Sequence, residues 1–320
     1  MVGPSVLIVP AGSPAVAPAG PLAEAIRGAD ASVEVCFAEP PGPRAAAGGR
    51  LSRVALPLAS RSAARDLPGL VTLHGAQAVV SDDPAVIRAM ATLRRSGGMR
   101  VPAVALVTRS SDPAAQAAEG IDLHLLADPG FASVVTRVAP DSRVVAVRGL
   151  VDPRYEAGSE REQARRAIGV PEGSPLVVIH GGEEASGDLA GAGEVALAAD
   201  PAARVVILCG ENAERLADLQ AWFARAPRLR AVGVTDRVPE LLAATDVLVE
   251  TAGGLAVLEA SSRGVAVIAY GWRGAGDRQA LADALIGALQ SPRPEAEGLA
   301  GRPSAAAEVL AVAGLEPVPA

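Results

Sequence analysis

Short runs of aliphatic residues, many of them β-branched, punctuate the chain and are separated by Ala-rich stretches. The first six are "VLIVP" (6–10), "VEVCFA" (33–38), "AQAVVS" (76–81), "VPAVALVT" (101–108), "IDLHLL" (121–126) and "RVVAV" (143–147). Their alternation with helical stretches predicts βαβ units around a parallel sheet, buried on both faces. After "RGLVDPRYEAGSE" the pattern restarts with "PLVVIHGG" (175–182), "RVVILCG" (204–210), "LRAVGV" (229–234), "DVLVET" (246–251) and "VAVIAYG" (265–271). Two such series predict an α/β protein with two Rossmann-like domains, residues 1–148 and 149–320. Residues 11–21, 40–50 and 291–304 are rich in Pro and Gly and read as loops. The segment "SAAAEVLAVAG" (304–314) reads as a closing helix, with the option of packing back on the first domain.

At 320 residues, half of them hydrophobic, the chain is long enough for two cored domains. All 29 basic residues are arginine, which reads as a coding bias toward GC-rich codons. Residues 1–150 hold 14 Arg against 12 acidic side chains, and residues 151–320 hold 15 against 24. Neither half has the basic patch that phosphate neutralisation needs, so a nucleic-acid partner is not expected. Two cysteines, Cys36 and Cys209, lie in apolar runs and are too few for a disulfide framework. Both are expected to be buried, in a reducing cytosol. The start "MVGPSVLIVPAG" lacks the basic n-region of a signal peptide, and no uninterrupted apolar run is long enough to span a bilayer. The expectation is a cytoplasmic protein, at most peripheral to the inner face of a membrane.

Open α/β sheets take ligands outside the carboxyl ends of their strands. Two strand ends in the second half carry paired glycines: Gly181 and Gly182 in "VVIHGGEEASG", and Gly253 and Gly254 in "VETAGGLAVLEA". Bare backbone N–H groups at a helix start accept a diphosphate. Tight-turn packing is the plainer explanation of either pair, and Glu183 and Glu184 would repel an anion at the first loop. Glu259, in the helix after Gly254, is placed either to accept hydrogen bonds from a ribose or to pair at i,i+4 with Arg263. Lysine is absent, so no P-loop exists, and "GAGEVA" (191–196) lacks the third glycine of a dinucleotide fingerprint. His74, His124 and His180 are widely spaced and indicate no metal site, and no GxSxG elbow is present.

The order of the second half nevertheless has a counterpart. "VVAVRGLVDPRY", "VVIHGG", "VVILCGEN", "VGVTDRVPELLAATDVLVETAGGLAVLEASSRGVAVIAY" and "GWRGAGDRQALADAL" together resemble the C-terminal domain of family 28 glycosyltransferases. The branch of monogalactosyldiacylglycerol synthases and processive diacylglycerol glucosyltransferases is the most similar, over residues 143–285. The resemblance implies the GT-B fold, two Rossmann-like domains whose parallel sheets face across a cleft. It also implies an inverting transfer from a UDP-sugar co-substrate to a lipid or other hydrophobic hydroxyl acceptor, without a cofactor or metal. Gly253, Gly254 and Leu255 would then cradle the diphosphate and Glu259 would hold the ribose. Thr235 and its neighbours would meet the uracil through backbone atoms, and Gln279 would reach the sugar or phosphate, with Gly181 and Gly182 also on the donor side.

In the first half, "AVVSDDPAVIRAMATLRRSGGMRVPAVALVTRSSD" followed by "GIDLHLLADP" resembles the acceptor domain of the same branch, with departures. The loop after the first strand has no glycine-histidine pair, the family's favoured general base. Asp83 stands where relatives have a histidine before the third-strand loop's proline, Arg109 replaces an aspartate, and Ala275 replaces the histidine of the proline-glycine block. Asp83, or Asp82 beside it, is the candidate base; the plainer reading is a helix N-cap before "PAVIRAMATL". A silent homologue that binds a nucleotide or a protein partner, or a sugar-nucleotide epimerase on the same architecture, are the alternatives. Only 7 aromatic residues (3 Phe, 2 Trp, 2 Tyr) argue against an extended sugar-stacking platform.

Overall fold

The computed structural model describes residues 3–11, 18–40, 55–108, 113–156, 160–182, 184–252, 256–271, 276–292 and 301–315. The chain divides into two compact units, Met1–Asp152 with Leu299–Ala320, and Pro153–Gly298.

In the first unit β1 (Ser5–Val9), β2 (Glu34–Phe37), β3 (Ala76–Ser81), β4 (Ala103–Val107), β5 (Leu123–Leu126) and β6 (Arg143–Ala146) form a six-stranded sheet. Its order is β2-β1-β3-β4-β5-β6 and every pairing is parallel. Strands β1, β4 and β5 are buried along their whole length, as runs without polar alternation require. Helices α1 (Ala19–Ala29), α2 (Ala55–His74), α3 (Pro84–Ser96) and α4 (Ala132–Val138) belong to this unit. Leu7, Val79, Ile87, Met90 and Ala105 lie together in its main core.

Two expectations are corrected here. The stretch 11–21 is not loop throughout, because α1 begins at Ala19 and takes Gly20 and Pro21 into its first turn. Proline is tolerated there since first-turn N–H groups have no intrahelical acceptor to lose. Cys209 is fully buried, but Cys36 is only partly so, because β2 is an edge strand with one unpaired side.

The second unit opens with α5 (Pro153–Glu156) and α6 (Arg161–Ile168). It continues through β7 (Leu176–His180), α7 (Leu189–Ala199), β8 (Arg204–Leu208), α8 (Ala213–Trp222), β9 (Leu229–Val232), α9 (Val238–Ala244), β10 (Val247–Glu250), α10 (Ala256–Ser262), β11 (Ala266–Ala269) and α11 (Arg278–Gln290). The five strands are parallel in the order β11-β10-β7-β8-β9. Val177, Ile179, Ile207, Val249, Leu281 and Leu285 lie together in its core. The chain then returns to the first unit as α12 (Ala305–Val312), which packs on α1. Ser304 bridges Arg148 in parallel, with Arg148 N donating to Pro303 O and Ala305 N donating to Arg148 O.

The amino ends of the central strands in the second unit are closed by a charged clamp. Arg165, only 5% exposed, donates to the carbonyls of Ala244, Pro171 and Ser174 and to Asp246 Oδ2. Asp246 also accepts from Leu176 N at 2.8 Å and from Arg161. A cavity of about 320 Å³ opens beside this clamp, but it lies at the amino ends of the strands and its two arginines are already engaged. Open α/β sheets take ligands at the opposite, carboxyl ends. Among the described residues no helix is long and apolar enough to cross a membrane.

Candidate functional site

In the second sheet the chain leaves the central strand β7 toward β8 and β9, then crosses to β10 on the other side. The connections diverge at the carboxyl ends of β7 and β10, which is where such sheets leave a crevice for a ligand. The final residues of these two strands, His180 and Glu250, are register partners. His180 Nδ1 lies 2.9 Å from Glu250 Oε2, and Glu250 Oε1 accepts from Ala252 N at 2.9 Å. The Glu250 side chain is 1% exposed, whereas the imidazole is 25% exposed, so the ring carries a buried charge out toward solvent. Burial disfavours the imidazolium, but the hydrogen bond and charge of Glu250, with the charge of Glu259, outweigh it and hold the ring above its ordinary pKa. Among the described residues Nε2 makes no hydrogen bond.

The loops around this pair are drawn tightly together. Thr251 Oγ1 donates to Ser186 O at 2.7 Å and to His180 O at 3.1 Å. A Cβ on Gly181 would come within 2.8 Å of Ala185 Cα, and one on Gly182 within 2.9 Å of Ala252 Cβ. Gly182 also has φ +70°, so close packing and backbone conformation both demand glycine there. The nearby Asp188 is drawn on by several groups. Gly191 N, Tyr270 Oη and Arg278 all donate to it, and Arg278 also pairs with Glu194 at 2.9 Å.

The expected donor residues are distributed around these ends. Glu259 is half-buried in the first turn of α10, near enough for its charge to act on His180. Thr235 is half-buried beyond the carboxyl end of β9, and its Oγ1 accepts from Arg237 N at 3.2 Å. Gln279 lies in the first turn of α11, after β11, with its amide donating to Asp283 Oδ1 at 2.9 Å. Gly253, Gly254 and Leu255, together with Glu183, Arg109 and Ala275, lie outside the described residues. The sequence reading missed the His180–Glu250 pair, whose members stand 70 residues apart. The available signal was a polar residue closing each of two otherwise apolar strands, "LVVIH" and "VLVE".

In the first unit the equivalent divergence falls between β1 and β3. Asp83 Oδ1 caps α3, accepting from Ala85 N at 2.7 Å and Val86 N at 3.0 Å, with Pro84 at the first helical position. Asp82, 4% exposed, instead turns its Oδ1 to Ala11 N at 2.7 Å, beyond the end of β1. Gln116, also buried, donates to Asp82 O and accepts from Thr108 N, tying the ends of β3 and β4. Burial pushes the Asp82 carboxyl up to about 6, helped by the charge of Asp83 and opposed by the Ala11 N–H.

No family model matches the chain. It is 25% identical over 210 residues, 64% of its length, to a processive diacylglycerol β-glucosyltransferase of Bacillus pumilus. The chain spans about half the length of the curated relatives it matches, 53% in each case. Among solved structures it resembles a putative UDP-N-acetylglucosamine 2-epimerase of Listeria monocytogenes, with TM-score 0.60, 12% identity and 94% of each chain covered. It also resembles a sucrose-phosphate synthase of Thermosynechococcus elongatus, with TM-score 0.59, 17% identity and coverage of 97% and 96%. The fold is therefore of the GT-B class, two parallel-sheet α/β units. Within that class the Bacillus diacylglycerol glucosyltransferase above is a sequence relative of the chain.

Proposed function

We propose that the chain binds a UDP-sugar at the strand ends of its second unit and transfers the sugar, with inversion, to a hydroxyl of a lipid or other hydrophobic acceptor. The observation that carries this reading is the convergence of Gly181, Gly182, His180, Glu250 and Glu259 at the β7/β10 divergence, in a chain similar over 210 residues to a diacylglycerol glucosyltransferase. Glu259 holds the ribose, the backbone around Thr235 meets the uracil, and Gln279 reaches the sugar or phosphate. Residues 253–255 carry the diphosphate role that the resemblance assigns to them.

Transfer needs a base for the acceptor hydroxyl. Asp83 Oδ1 serves the α3 cap and Asp82 Oδ1 accepts from Ala11 N; of the two, Asp82 is taken as the base, because its raised pKa suits a base working near neutrality. The base takes the proton as the acceptor oxygen bonds to the anomeric carbon. The bond from that carbon to the β-phosphate oxygen breaks, and UDP leaves with the electron pair.

The test is calorimetric titration with UDP, then UDP-glucose, UDP-galactose and UDP-N-acetylglucosamine, followed by turnover assays with and without diacylglycerol. Micromolar UDP binding and a glycosylated acceptor support the reading. An altered sugar configuration would make the chain an epimerase, binding without turnover would make it a silent homologue, and failure of every UDP-sugar to bind would remove the donor site.

A further inference from the structure

Residues 253–255 offer a bound diphosphate only backbone N–H groups, and no charged side chain has yet been assigned to it in a chain without lysine. Arg278, at the start of α11, is held by Asp188 and Glu194. His180 is differently placed. It closes the central strand at the divergence, its inner nitrogen faces a nearly inaccessible carboxylate, and its ring alone of the pair reaches solvent. A carboxylate buried to this degree is strongly unfavourable unless a cation or donors offset it. Placing such a pair at a strand end fixes the orientation of the ring, as a carboxylate fixes the partner histidine in catalytic dyads.

From this geometry we infer that His180, braced by Glu250, is the cationic group that grips the diphosphate of a bound nucleoside diphosphate, donating from Nε2–H to a phosphate oxygen. The inference rests on the donor-site reading and deepens it. The residue is a binding residue: as the bond to the sugar breaks, the same donor faces the charge that collects on the departing diphosphate. The charged groups acting on the ring are Glu250 from β10 and Glu259 from α10, while its register partner on β8, Leu208, is apolar. Both carboxylates favour the imidazolium, in keeping with the direction of its pKa.

The experiment compares UDP with uridine by calorimetry in the wild type, His180→Gln and Glu250→Gln. Titrations run from about pH 7 to about pH 9, above the second ionisation of a phosphate. Removing a charged donor should lower UDP affinity about tenfold or more while uridine affinity is unchanged. In the wild type, UDP affinity should fall as pH rises through the imidazolium pKa, and in Glu250→Gln that fall should begin at lower pH. The ring C2–H signals of the three histidines give a second readout on the intact protein. The His180 signal should move with UDP and not with uridine. If the wild type binds no UDP, the donor-site reading fails and takes this assignment with it. If it binds UDP but His180→Gln keeps the same preference for UDP over uridine, or the His180 signal is indifferent to UDP, the assignment alone is overturned.

Discussion

His180 and Glu250 close neighbouring strands as register partners and meet at 2.9 Å, the histidine partly in solvent and the glutamate almost wholly out of it. This makes part of the stability of the second unit depend on the ring's charge. A histidine whose folded pKa is raised lends its full stabilisation below the unfolded value, about 6.5, and loses it as pH rises through the folded value. The stability gap between wild type and Glu250→Gln, measured by urea denaturation, should therefore be larger near about pH 6 than near about pH 9. A gap that is constant across this range would mean that the pair is held as a neutral hydrogen bond.

Asp82 runs the other way. Its carboxyl is raised from 3.8 to about 6, so between those values the native state keeps a proton that the unfolded chain has lost, and stability falls as pH rises. Asp82→Asn keeps the acceptor for Ala11 N and removes the buried charge. At neutral pH it should stabilise the fold by up to about 3 kcal/mol, two pKa units at 1.36 kcal/mol each, while turnover falls by about a hundredfold or more. Asp83→Asn, which preserves the α3 cap, should leave both nearly unchanged. Loss of turnover in Asp83→Asn with retention in Asp82→Asn would reverse the assignment of the base.

Glu259→Ala should abolish nucleotide binding while leaving the fold intact, since the side chain is only half-buried. Calorimetry with UDP reads the first effect and circular dichroism the second. Equal affinity for UDP in the two proteins would show that the ribose is held elsewhere.

Arg165→Ala removes the guanidinium shared by three carbonyls and Asp246 at the amino ends of β7 and β10. Leaving these acceptors and a carboxylate without their cation should cost about 3–5 kcal/mol in chemical denaturation. A loss below about 1 kcal/mol would show that Arg161 or water takes over the clamp.

The eleven strands among the described residues were legible because doubly covered parallel strands are written as unbroken apolar runs, "LIV" in β1 or "LVVI" in β7. What periodicity does not carry is strand order. Nothing between residues 180 and 250 states that β10 crosses back to lie beside β7, so the partner of His180 was invisible and the histidine was set aside for lack of a metal spacing. The different placements of Asp82 and Asp83 were hidden for a local reason. The two differ by one position, yet one sits in a helix cap and the other faces the neighbouring strand end. At α1 the Pro/Gly content of 11–21 misled, because proline within a first helical turn is indistinguishable in composition from proline in a loop.

The return of α12 to the first unit has a bearing on biosynthesis. Residues 153–298 form an insertion within the first unit, and α1, whose Leu22 and Ile26 are buried, is made long before the helix that packs on it. On the ribosome the inserted unit is expected to mature first, while the earlier-made unit waits for residues beyond 300 before it is complete. A released chain truncated after residue 298 should thus resist protease across the second unit and remain cleavable in the first. Equal resistance in both would show that the final helix is dispensable for closure.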